Sequence, residues 1–286
     1  EGRQVKTPQV MVIGFGDLAR RLVPKLSGVA EVVGVSRRPE LLPEGVKAVF
    51  GDYTHMDTLA EAASMTPDIV IFTPVPASRD LEGYRLGYAQ AARNICEAGV
   101  LIHTERAIFV SSTRVYAEKT GGWVTEDSPL AGGDPYVDAL LDGEASFRRH
   151  ATTTVLRPSG LYDGAKPIML KPIFDGLKSQ LGTGYTNRIH REDVAGILAH
   201  LIDLHIKGAW IPSTLSLNDN EPVKTADLEA WCFEQLGREP RGERENQPRG
   251  NRRISNAKLL ATGFQLRYPT FREGYRDALV QHRYGF

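Results

Sequence analysis

The chain has 286 residues, and 35 Lys and Arg balance 35 Asp and Glu, so the formal net charge is zero. That balance argues against a nucleic-acid groove or an anionic membrane surface as the main partner. Hydrophobic residues make up 41% and charged residues 24%, as in ordinary soluble proteins, and the length suits one large α/β domain or a core domain with an appendage.

The first apolar strand, Val10-Met11-Val12-Ile13, stops at Gly14-Phe15-Gly16-Asp17-Leu18-Ala19, where an amphipathic run begins. A Gly-x-Gly-x-x-Ala between strand and helix is the turn that holds a dinucleotide pyrophosphate. Gly14 allows the tight turn. Gly16 has no side chain, so phosphates can approach the backbone, and Ala19 lets the helix pack closely. The anion then meets amides at the start of the helix, in the stretch Phe15, Asp17 and Leu18. Any short Gly turn looks similar, but the place after the first strand favours a dinucleotide.

The second strand, Glu31-Val32-Val33-Gly34-Val35, indicates which dinucleotide. An acidic residue at its end would bind the ribose 2′-hydroxyl of NAD. Here the end is Ser36-Arg37-Arg38. Two guanidiniums and a hydroxyl suit a 2′-phosphate, because Arg forms bidentate charge-assisted bonds to phosphate. NADP is therefore expected over NAD; the rival reading is an exposed basic loop.

Further strands are expected at 47–50, 69–72, 107–110 and 153–157, and helices at 17–27, 56–64, 81–98 and 136–149. This alternation predicts a Rossmann-type, doubly wound parallel sheet covered on both faces. After Arg157-Pro158 the pattern changes. Residues 161–188 are rich in Gly, Pro, Lys and Tyr, with one helix expected near 167–178. An apolar helix follows at 192–204, a short strand near 209–211, a strand-like 214–217, a helix at 225–236 capped by Thr225, and two later helices. Segment 238–253 reads as an exposed loop. The expected division is a nucleotide-binding domain over 1–160, with 189–212 returning to it, and a substrate-binding region from 161–188 and 213–286. Cys96 and Cys232 lie far apart, and neither they nor the scattered histidines suggest a disulfide or metal site. No apolar run approaches the about 20 residues that span a membrane, and no secretory leader is read ahead of the first strand. The expected location is cytoplasmic.

Later segments add a constellation: Ser111-Ser112-Thr113-Arg114-Val115-Tyr116, Pro135-Tyr136, Arg157-Pro158-Ser159-Gly160-Leu161-Tyr162, and Asn187-Arg188-Ile189-His190-Arg191-Glu192-Asp193. In this order they resemble the extended short-chain dehydrogenase/reductase superfamily, in its NAD(P)-dependent epimerase/dehydratase branch. The Gly-x-Gly-x-x-Ala loop, and Ile254-Ser255-Asn256-Ala257-Lys258-Leu259-Leu260 near the end, look most like the atypical YeeZ-like proteins. The likeness covers nearly the whole chain. It is specific for the fold and much less so for the reaction.

The resemblance implies that a Ser and a Tyr bind the substrate oxygen, the Tyr moving the proton while a Lys four residues on lowers the phenol pKa. Ser112 and Tyr136 match the first two. The Lys position is Leu140. Without the cation a phenol can donate a proton but is a poor base. A bland reading of Tyr136, a Tyr opening a helix after Pro135, stands beside the catalytic one, and Tyr116 is next in line as donor. For Ser112 a turn role is the rival reading. Arg114 is expected to hold an anionic substrate or to be an ordinary surface Arg; Tyr162 and Arg188 are further substrate-side residues. Asp52 and Tyr53 would meet the adenine, Thr73 and Pro74 pass under the cofactor, and Pro158 pass the nicotinamide; turns and strand ends are the rival readings. His190 and Asp193 would tie a helix start to the core.

The expected function is an NADP-dependent oxidoreductase acting on a hydroxy or keto compound, nucleotide-linked sugars among the candidates. The alternative is a catalytically silent NADP-binding sensor, which the missing Lys favours. The expected partner is a small-molecule substrate rather than nucleic acid or membrane, and a homodimer stays open.

Overall fold

The computed structural model describes residues 6–165, 168–248 and 250–285. The chain divides into two compact units. One takes the chain up to Val115, then Ala131–Arg157 and Ala195–Leu215; the other takes Tyr116–Leu130, Pro158–Val194 and Ser216 onward.

The first unit is built on strands β1 (Gln9–Ile13), β2 (Glu31–Ser36), β3 (Val46–Phe50), β4 (Ile69–Phe72), β5 (Arg106–Val110), β6 (Thr153–Pro158) and β7 (Thr214–Leu217), in the sheet order β7-β6-β5-β4-β1-β2-β3, with Pro158, Ser216 and Leu217 at the ends of the last two counted in the second unit. The pairings of β1 through β6 are parallel. β4 is buried along its whole length and β1 along all but its first residue, as a sheet covered on both faces requires. β3, at the edge, is mostly exposed. The strand order reverses between β1 and β4, the place where such sheets bind ligands at their carboxyl ends. This is the doubly wound architecture that the strand–helix alternation implies.

Helix α1 (Asp17–Leu22) is shorter than the expected 17–27. Pro24 has no amide to continue the α ladder, and the chain tightens into a 3-10 turn over Val23–Leu26. The next long helical run comprises Leu81–Tyr84, a π-helical stretch Arg85–Gln90, and Ala91–Glu97. Helix α2 (Pro135–His150) starts on Asp134, whose carboxylate accepts from the Tyr136 amide at 2.9 Å. It ends in Arg148, Arg149 and His150, which suit the negative end of the helix dipole. Phe147 of this helix stacks on Phe72 at 5.5 Å and meets Phe109 edge-on at 5.2 Å. Burying each such ring contributes about 1.5–3 kcal/mol.

The second unit has short two-stranded pairs and its own core. Arg188–His190 runs parallel to Gly160–Tyr162, and Arg253–Ile254 to Trp123–Val124. Phe271 and Tyr275 of the helix Phe271–Tyr284 pack with Cys232 and Phe233 of the helix Thr225–Leu236. A capping box between Thr270 and Glu273 opens the last helix.

Four local expectations are corrected. The helix near 167–178 is a 3-10 turn Ile168–Leu170 and one turn Lys171–Phe174, because Gly176 at φ 80° closes it and a strand Leu177–Ser179 follows; residue 167 lies outside the described residues. No strand forms at 209–211; Pro212 cannot donate to a ladder, and the strand begins at Thr214. Lys224, not Thr225, is the cap residue of Thr225–Leu236, and no side chain caps that helix. Within 238–253, Gly242–Arg244 pairs with Leu177–Ser179. No helix among the described residues is long and apolar enough to cross a membrane.

Candidate cofactor and active site

The Gly14 turn lies at the carboxyl end of β1, beside the end of β2. Gly14 has φ 88°, and a Cβ there would meet the Thr73 carbonyl oxygen at 2.6 Å. The Thr73 hydroxyl donates to the Gly14 carbonyl, and its amide donates to Ile13 O at 3.0 Å. Thr73 therefore braces the turn from the end of β4, and Pro74 beside it is buried. A Cβ on Gly16 would meet nothing within 4 Å. Gly16 is thus required by neither packing nor a left-handed backbone, and its missing side chain leaves an open approach to the first turn of α1. No side chain caps that helix. Leu18 is buried, and Asp17 pairs with Arg21 at 2.8 Å.

A cavity of about 360 Å³ adjoins the turn, lined by Phe15, Arg20, Ser36, Arg37, Arg38, Leu41 and Leu42. It combines the expected Phe15, Ser36, Arg37 and Arg38 with a third cation, Arg20, that the sequence reading missed. The Arg20 guanidinium donates to Leu41 O at 2.8 Å and lies 6.0 Å from the Phe15 ring centre. Its signal was available: Arg20 follows Gly16 by one helical turn. The Ser36 hydroxyl accepts from the Arg38 amide at 3.1 Å, and both arginine side chains are exposed.

Asp52 and Tyr53 follow β3. The Asp52 carboxylate accepts from the Thr54 amide and hydroxyl at 2.9 and 2.6 Å. Burial works to raise its pKa, but these bonds and the neighbouring His55 outweigh it and hold the carboxyl below its ordinary value. The Tyr53 ring rests edge-on against Phe72 at 5.2 Å, and burial pushes its phenol up.

On the neighbouring loop after β5, the Ser112 hydroxyl accepts from the Arg114 amide at 3.1 Å. Arg114 reaches Tyr84 and Tyr136: its Nη1 donates to the Tyr84 phenol oxygen at 3.0 Å, and its guanidinium carbon lies 4.6 Å from the Tyr136 ring centre. Arg114 thus touches Tyr136 and also Tyr84, which the sequence reading did not name, while the Ser112 bond is local and shapes the turn that was its rival reading. Leu140 is fully buried. A Lys there would carry its ammonium into the core, so adding the missing cation at this position would destabilise the fold. Tyr116, the reserve proton donor, is corrected: it is 1% exposed and its hydroxyl is bonded to Ser216 Oγ at 2.5 Å.

In the second unit, Pro158, Tyr162 and Arg188 are all buried. The Tyr162 ring packs against Tyr275 at 4.7 Å, and Arg188 donates to Thr186 Oγ1 at 2.7 Å. Asp193 accepts from the Arg267 and Tyr268 amides at 2.8 and 3.0 Å, and His190 stacks on Tyr268 at 3.8 Å. This pair ties its helix start to the C-terminal segment, where a tie to the core was expected.

Comparison with known proteins joins this geometry to a lineage. A family profile described as NAD(P)H-binding matches residues 14–204, from the glycine turn to the helix Arg191–Ile206. The chain belongs to that NAD(P)H-binding family. A protein from Methylobacillus flagellatus, provisionally assigned as an NAD-dependent epimerase/dehydratase, is 31% identical, with a TM-score of 0.80 over 97% of this chain and 100% of that one. Two more distant structures share the fold. MoeE5, in complex with UDP-glucuronic acid and NAD, is 19% identical with a TM-score of 0.74, over 97% of this chain and 100% of that one. A human epimerase family protein with NADPH is 20% identical with a TM-score of 0.73, over 95% and 99%. No match was found among curated proteins. The Methylobacillus flagellatus protein places the NAD(P)-binding chain among the NAD-dependent epimerase/dehydratase proteins.

Proposed function

We propose that the protein is an NADP-dependent oxidoreductase acting on a hydroxy or keto compound. The observation that carries the reading is the cavity at the ends of β1 and β2. Arg20, Arg37 and Arg38 surround it with Ser36, and no carboxylate lines it. Three cations and a hydroxyl suit a 2′-phosphate, whereas a free ribose 2′-hydroxyl calls for an acidic acceptor. The open space at Gly16 suits the pyrophosphate. Gly14, Gly16 and the first amides of α1 would hold the phosphates, and Asp52 and Tyr53 the adenine. When bound, the dinucleotide supplies or accepts a hydride. Ser112 and Tyr136 would hold the substrate oxygen by hydrogen bonds. Nucleotide-linked sugars head the substrate candidates, since MoeE5 binds UDP-glucuronic acid on the same fold.

A second reading rests on Leu140. A buried leucine at the family's Lys position suits an NADP-binding sensor without turnover. One experiment separates the two: calorimetry with NADP and NAD, followed by NADPH oxidation over a panel of carbonyls that includes UDP-sugars. Tight NADP binding with turnover supports the oxidoreductase. Tight binding with no turnover across the panel supports the sensor, and preference for NAD removes the 2′-phosphate argument from both.

A further inference from the structure

Arg114, Tyr84 and Tyr136 form a cluster in the first unit that the Ser112–Tyr136 pair alone does not use. The Arg114 guanidinium carbon lies 5.0 Å from the Tyr84 ring centre and 4.6 Å from that of Tyr136, and the two rings meet edge to face at 5.1 Å. Its Nη1 donates to the Tyr84 oxygen at 3.0 Å, while its own amide is fixed to the Ser112 hydroxyl. Among the described residues no carboxylate forms an ion pair with Arg114. Tyr84 closes a turn of α-helix immediately before the π-helical stretch Arg85–Gln90. Such insertions gather at functional sites.

We propose that Tyr84 is the acid that protonates the substrate oxygen, and that Arg114 gives Tyr84 the positive charge that Leu140 cannot give Tyr136. This rests on the oxidoreductase reading above. The two phenols meet the guanidinium differently. Tyr136 has it over the ring face, an attraction to the ring quadrupole that leaves the oxygen untouched. Tyr84 has an N–H on the oxygen itself. That bond is charge-assisted and holds the oxygen in one orientation. Because the Tyr84 oxygen accepts from Arg114, its own hydrogen points away from the guanidinium and is free to be donated. Tyr88 is no substitute, since it is buried and burial pushes its phenol up. In the step, the Tyr84 O–H bond breaks and its proton bonds the carbonyl oxygen as the hydride reaches the carbonyl carbon. The carbonyl is reduced to an alcohol, the dinucleotide is oxidised, and the phenolate recovers a proton from water. Tyr136 holds the same oxygen as a hydrogen-bond donor, and Arg114 is a positioning residue.

The first test needs no cofactor. N-acetylimidazole acylates phenol oxygens in the free protein, and mass spectrometry maps the sites. Tyr84 should react faster than Tyr136, and Arg114→Gln should slow Tyr84 several-fold while leaving Tyr136 unchanged. An unaltered Tyr84 rate in that variant overturns the proposal, with or without a known substrate. With a carbonyl substrate, Tyr84→Phe should lower kcat about a hundredfold or more while the dinucleotide Kd holds. Arg114→Ala should also lose kcat, recover in part with added guanidinium ion, and be less active than Arg114→Lys. If Tyr136→Phe loses activity and Tyr84→Phe keeps it, the acid role belongs to Tyr136 and the oxidoreductase reading stands without this one. A parent protein that binds the dinucleotide and reduces no carbonyl sinks both.

Discussion

The Arg157 guanidinium grips the Glu144 carboxylate twice, Nη2 to Oε1 at 2.7 Å and Nε to Oε2 at 3.2 Å, with both side chains closed off from solvent. The Ser111 hydroxyl donates to the same carboxylate at 2.7 Å. One buried ion pair thus ties α2 and β6 to the end of β5, one residue before Ser112. Removing one partner of such a pair leaves an uncompensated charge, whereas replacing both by apolar groups is often neutral. Glu144→Ala should therefore cost about 3–5 kcal/mol in urea unfolding, and pairing Glu144→Leu with Arg157→Met should recover most of it. A loss below about 1 kcal/mol for the single change would show that the pair does not hold this corner together.

The two glycines of the cofactor turn should fail in different ways. Gly14→Ala forces a Cβ against Thr73 O at 2.6 Å on a backbone with φ 88°. It should lower the melting temperature. Gly16→Val meets open space and should leave melting near the parent value while blocking dinucleotide binding. Calorimetry and thermal unfolding on both variants check this. Parent-like NADP affinity in Gly16→Val would move the pyrophosphate elsewhere.

The cavity cations should set the choice of dinucleotide. A hydrogen bond to a charged group contributes about 1.5–3 kcal/mol, so Arg37→Ala with Arg38→Ala should weaken NADP far more than NAD. Arg20→Ala should weaken NADP in the same direction, as it lines the same cavity. Titrating each variant with both dinucleotides gives the answer. Equal losses for NADP and NAD would rule out a 2′-phosphate role.

How much of this was legible follows from the range of each signal. The parallel sheet was readable because buried strands are continuous apolar runs and their helices have their own period. The glycine turn and Ser36-Arg37-Arg38 were readable because each is a few consecutive residues. The Tyr84–Arg114 contact was not, since it joins residues 30 apart on separate elements. Leu140 was visible as a missing Lys, but its burial depends on packing that no local pattern reports. The second unit was least legible. Its strands are two or three residues long, and partners such as Leu177–Ser179 and Gly242–Arg244 are far apart in sequence, too short for alternation to register.

Asp219 is 1% exposed, and burial pushes its carboxyl up to about 7, against the opposing pull of the Glu221 amide and the Arg188 guanidinium. In the unfolded chain the same group titrates near its ordinary value of about 3.9. Between those values the folded protein binds more protons than the unfolded one, so the contribution of Asp219 to stability falls as pH rises through that window. It is flat below the window and flat again above about 7. Asp219→Asn keeps an oxygen able to accept from the Glu221 amide, as Oδ1 does now at 2.9 Å, and removes the titration. Its stability relative to the parent should therefore increase with pH, by an amount on the order of a few kcal/mol across the window. Urea unfolding of both proteins from about pH 4 to about pH 8 measures the difference directly. A constant offset across that range would mean that Asp219 is ionised in the folded protein at every pH tested, with the Arg188 guanidinium outweighing the cost of its burial.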